Sequence, residues 1–87
     1  MLTEFDLRRR ISDIRSSSAT PFRKARQFLA LGRTVRKQES RLVFLREQTP
    51  RERDRNGFVH LDRLARKMRS LYLDLRDEAL RALARRR

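Results

Sequence analysis

The side chains best suited to chemistry in this chain are cations set at helical spacing. Arg23, Arg26, Arg33, Lys37 and Arg41 recur at intervals of three, four and seven residues, so a helix brings them onto one face. A guanidinium is a planar fork that grips a phosphate or a carboxylate through two parallel hydrogen bonds, whereas an ammonium acts as a point charge. At 1.5 Å of rise per residue the row from Arg23 to Arg41 is about 27 Å long. That length matches several phosphates of a nucleic-acid backbone, and it suits an acidic groove on a protein as well. Arg8 and Arg9, on an earlier stretch, are further candidates for the same partner.

Other reactive residue types lack the company they need. His60 is the only histidine and the chain has no cysteine, so no ligand set exists at metal-binding spacing. Ser16, Ser17, Ser18, Ser40 and Ser70 have no base beside them to activate a hydroxyl. Gly32 and Gly57 are the only glycines, which leaves no phosphate-cradling glycine loop. Glu52, Asp54, Asn56, Gly57 and Val59 echo part of a calcium-binding loop, but Arg63 stands where that loop needs a bidentate glutamate. Residues 57–65 resemble the start of the DNA-reading helix in helix-turn-helix domains. That motif requires a short helix, and here the helical pattern runs on for about seven turns. The expectation is a non-enzymatic protein with no cofactor and no metal.

Charge separates the surfaces. The chain of 87 residues carries 24 Lys plus Arg against 11 Asp plus Glu, a formal net charge of +13, and 21 of the basic residues are arginine. Residues 21–47 hold eight basic residues and two acids, net +6, whereas residues 58–84 hold six and four, net +2. Asp62 with Arg66 and Asp77 with Arg81 are acid-before-base pairs at i,i+4 that help neutralise the later stretch. No such compensation exists for the earlier one, which calls for an anionic partner. A GC-rich genome would explain arginine in place of lysine but not the excess over acids.

The elements that must position these groups are helical. Thr20 can cap a helix and Pro21 suits its first turn. From there to Gln48, Phe28, Leu31, Val35, Leu42 and Leu45 lie on the face opposite the cations. Residues 1–18 form a shorter first helix, with Thr3 as cap, Glu4 and Asp6 at the positive end of its dipole, and Leu7, Ile11 and Ile14 as its stripe, joined by Leu2 and Phe5. The serines at 16–18 end it, because their hydroxyls compete for backbone hydrogen bonds. Residues 49–57 are read as a chain-reversing loop with room for one helical turn and with Asn56-Gly57 as the break. A third helix over 58–84 follows, with Leu61, Leu64, Met68, Leu71, Leu75, Ala79 and Ala82 in a near-heptad seam joined by Tyr72 and Leu83. Residues 85–87 form a frayed basic tail.

The predicted fold is all-α. Two long helices form an antiparallel hairpin, and the shorter N-terminal helix lies across one end of it, in a single bundle-like domain of three helices over residues 1–87. Gly32, near the apolar face of the second helix, is expected to permit close approach of another helix. Phe22 and Phe44 lie on or beside the cationic face. Exposed, they would stack on bases, but three packed helices bury more than one stripe each, so the first helix is expected to cover them. No apolar run is long enough to span a membrane and no secretory leader is evident, which points to a cytoplasmic protein.

The functional expectation is a module that binds DNA or RNA through its phosphates. The competing reading is a small helical adaptor, inhibitor or assembly protein that docks on an acidic protein or associates with itself through a helical seam.

Overall fold

In a computed structural model, which describes residues 2–85, the chain folds into three helices: α1 (Glu4–Ser16), α2 (Pro21–Gln48) and α3 (Arg55–Ala84). Each boundary follows from local chemistry. Thr3 and Asp6 form a reciprocal capping box at the start of α1, with each side chain accepting from the other's backbone N–H at 3.1 Å. Ser16 and Ser17 donate their hydroxyls to the Ser12 and Ile14 carbonyls at 3.0 and 2.9 Å, which closes α1 where the serine run begins. Thr20 accepts from the Arg23 N–H at 3.2 Å, and Pro21 opens α2 at no hydrogen-bonding cost.

The third helix begins earlier than expected. Asn56-Gly57 does not break the chain, because the Asp54 carboxylate accepts from the Gly57 N–H at 3.0 Å and caps α3 just before Arg55. Thr49 closes α2. Its N–H donates to the Arg46 carbonyl at 3.1 Å and its hydroxyl to the Leu45 carbonyl at 2.8 Å. One turn follows, closed by the Asp54 N–H on the Pro50 carbonyl at 2.9 Å.

Antiparallel pairing of α2 and α3 forms a hairpin that gives the molecule its length, and the Cα trace measures 54 × 18 × 13 Å. Phe28, Val35, Leu71 and Leu75 are almost fully buried in the centre of the seam, flanked by Ala25, Leu31, Leu42, Met68, Ala79 and Ala82. Ala65, Ala79 and Ala82 are the small buried residues of the α3 side of the seam.

The first helix lies along the hairpin, not across its end. Leu2 exchanges two backbone hydrogen bonds with the Gln38 side chain, at 2.9 and 3.1 Å, and Glu4 reaches Lys67 at 3.4 Å. At the other end of α1, Arg15 pairs with Glu78, and its carbonyl accepts from Lys24 Nζ at 2.8 Å. A stripe made of Leu7, Ile11 and Ile14 is only buried along its length if the helix lies parallel to the groove.

Beyond Gln38 and Lys67 the hairpin continues as two helices. Leu45, expected in the core, is therefore 39% exposed. Phe5 points away from the bundle, and Leu83 sits at the outer edge of the α3 seam, partly in solvent. Of the tail expected at 85–87, only Arg85 is described, and its N–H still bonds to the Arg81 carbonyl at 3.1 Å; Arg86 and Arg87 lie outside the described residues. No helix among the described residues is long and apolar enough to cross a membrane.

Candidate nucleic-acid interface

Burial of Phe28, Leu31, Val35 and Leu42 turns the opposite side of α2 outward. Arg23, Arg26, Arg33, Lys37 and Arg41 are all exposed along it. Every ion pair within 4.0 Å among the described residues involves other side chains. The row is therefore uncompensated by the protein's own carboxylates.

Several of the acids are engaged elsewhere. Asp62 holds Arg46 at 2.6 Å and Arg66 at 3.0 Å, which confirms the expected Asp62–Arg66 pair and adds a second cation from α2. The Arg46 hydrogen bond, above all, holds the Asp62 carboxyl below the usual aspartate range. Glu4 binds Arg8 at 3.1 Å and Lys67 at 3.4 Å, and Glu39 sits 4.0 Å from Arg69. The expected Asp77–Arg81 pair does not close among the described residues.

The arginines of α1 divide. Arg8 is tied to Glu4 beside α3, and Arg9 is exposed. Of Arg8, Arg9 and Arg10, Arg10 borders α2, in a shallow depression shared with Gln27, Leu31 and Thr34. Charge counting along α1 could not rank these three, because the choice depends on which side of α1 meets α2.

Phe22 and Phe44 are not covered. They are 48% and 62% exposed, because α1 packs on the edge of α2 that carries Leu31, Thr34 and Gln38 and stops short of both rings. The Arg26 guanidinium lies over the Phe22 ring at 6.0 Å, and Phe44 follows Arg41 by three residues on the same outward face. The cationic row is thus bracketed by two exposed rings. Two more arginines lie over rings: Arg36 over Tyr72 at 5.4 Å and Arg51 over Phe58 at 4.9 Å.

The residues that echoed a calcium loop have a structural role. Asp54 caps α3, so its carboxylate is already engaged with backbone. His60 is exposed in the second turn of α3. Among the described residues, no group of three or more His, Asp or Glu lies close enough together to hold a metal ion.

The chain matches no protein-family model, and neither a curated protein nor a solved structure shows significant similarity to it.

Proposed function

We propose that the protein is a non-enzymatic module that binds nucleic acid through the phosphate backbone, with α2 as its contact surface. The observation that carries this reading is the uncompensated row itself: Arg23, Arg26, Arg33, Lys37 and Arg41 are exposed, collinear and without a carboxylate partner among the described residues. Holding like charges side by side destabilises the free protein, and a polyanion relieves that cost by exchanging its own counterions for the guanidiniums. Arg10 extends the row sideways across the α1–α2 boundary. Phe22 and Phe44 offer rings on which bases stack. The row consists of Arg and Lys with no Asn or Gln in it, so the proposal rests on phosphate contacts and includes no sequence specificity.

The test is titration of the protein with labelled oligonucleotides at about 50 and about 200 mM salt. A protein that neutralises several phosphates loses affinity steeply across that range, by orders of magnitude for six or more contacts. Weak binding that is indifferent to salt would remove the proposal. Arg33→Glu with Lys37→Glu should abolish binding, whereas Arg66→Glu with Arg81→Glu, on α3, should leave most of it. Equal losses would show that net charge, and not this face, is responsible.

A further inference from the structure

Gly32 lies in the middle of α2, where a glycine lowers helix stability relative to alanine. Packing does not demand it. A methyl group placed there would meet the Tyr72 ring at 3.7 Å and Leu75 Cβ at 3.9 Å, which are ordinary van der Waals contacts. Over Gly32 lies a dent of about 130 Å³ between α2 and α3, floored by Phe28 and Gly32 and rimmed by Leu29, Arg33, Tyr72 and Arg76. It lies on the side of the hairpin away from α1, whose contacts are with Leu31, Thr34, Gln38, Lys67 and Glu78.

The rim is apolar and cationic together. Leu29, on the rim, is 44% exposed; Leu80 is not part of the lining but follows Arg76 by one turn of α3 and is 57% exposed. Neither Arg33 nor Arg76 has a carboxylate within 4.0 Å among the described residues. Arg36 adds a third cation at the end of the dent, with its guanidinium over Tyr72 and donating to the Tyr72 hydroxyl at 3.3 Å.

We infer that this dent is a docking site for an acidic amphipathic helix of another protein, whose aliphatic side chain enters between Leu29 and Tyr72 while carboxylates one turn to either side pair with Arg33 and Arg76. Charge complementarity selects this occupant. A second copy of the chain would bring arginine against arginine across the contact. A phosphate backbone would satisfy the arginines but leave the leucines in water. An acidic helix with apolar residues at i and i+3 or i+4 satisfies both, and this mode of recognition needs only a shallow groove. The site shares Arg33 with the cationic row proposed to bind nucleic acid, but its apolar part, Leu29 and Tyr72, and its second cation, Arg76, lie outside that row.

The experiment measures anisotropy of a labelled synthetic helix about five turns long, with leucines on one face and glutamates elsewhere, at about 150 mM salt. A control peptide of equal charge replaces the leucines by serine. The leucine peptide should bind at least about tenfold more tightly than the control. Gly32→Ala, which fills the floor of the dent, should raise the thermal midpoint of the protein and weaken peptide binding roughly tenfold. Leu80→Asn should weaken it as well without altering the fold. Lys37→Glu with Arg41→Glu should leave the discrimination between the two peptides intact. The inference is overturned if the peptides bind equally, if Gly32→Ala and Leu80→Asn both bind the leucine peptide normally, or if sedimentation shows a dimer that Leu80→Asn dissolves. None of these outcomes bears on oligonucleotide binding by the same variants, so the two proposals fail separately.

Discussion

Gly32 and Gly57 are both helical, yet a methyl group would act oppositely at the two positions. At Gly32 the new Cβ has ordinary clearance, so Gly32→Ala should stabilise the protein by about 1 kcal/mol through helix propensity alone. At Gly57 the new Cβ would lie 2.7 Å from the Asp54 carboxyl carbon, and the cap would have to swing away. Loss of an N-cap costs about 1 kcal/mol, which offsets the propensity gain, so Gly57→Ala should leave stability unchanged or lower it. Thermal melts of the two variants side by side test this; a gain of similar size at both positions would refute the role assigned to Asp54. The same carboxylate explains why residues 52–59 look like an ion-binding loop in sequence. An aspartate that caps a helix and one that holds a cation are the same residue type, and only its bond to the Gly57 N–H tells them apart.

At the scale of elements, α1 is the least secured. It is short, and in each of its ion pairs with α3 the basic side chain is more than half exposed, so such pairs contribute little. Its attachment rests mainly on Leu7 and Ile11, the two buried side chains it contributes. Native-state hydrogen exchange should therefore show α1 amides opening well below the free energy of global unfolding, with the centres of α2 and α3 protected most strongly. Leu7→Ala removes a fully buried side chain, a change that costs about 2–5 kcal/mol when the site cannot collapse. It should abolish protection in α1 while leaving the hairpin core around Val35 and Leu71 protected. Uniform loss of protection across all three helices would show a single cooperative unit instead.

For the whole molecule, the net charge of +13 on 87 residues makes salt act in two directions. Screening relieves repulsion within the folded chain, so the thermal midpoint should rise between about 20 and about 300 mM salt. Oligonucleotide affinity should fall over the same range. A midpoint that falls with salt would mean that the ion pairs outweigh the repulsion. Acid gives a second check. Arg8 above all holds Glu4, Thr3 holds Asp6 and Arg46 holds Asp62 below their ordinary values. Carboxylates depressed in the folded state contribute stability that is complete above their unfolded pKa and lost as the pH falls through the folded one. Stability should therefore be level above about pH 5 and decline below about pH 4. A decline that begins near neutrality would point to a different group.

The sequence determined everything that depends on periodicity and on short-range hydrogen bonding. Helical spacing puts Phe28, Leu31, Val35 and Leu42 on one side of α2 and the cations on the other whatever α2 packs against, and Thr3, Thr20 and the serine run act within a few residues of themselves. The three-helix architecture follows, because such stripes must be buried and the loops are short. Only the tertiary structure decided where α1 lies along the hairpin. That placement is set by contacts between residues far apart in the chain, such as Leu2 with Gln38 and Arg15 with Glu78. The rest of the surface follows from it. Phe44 and Leu45 stay exposed because α1 ends before reaching them, Arg10 rather than Arg8 borders α2, and the dent over Gly32 stays open because α1 occupies the other side. A stripe says which side of a helix is apolar, but how far its neighbour extends is fixed only when the helices are in register.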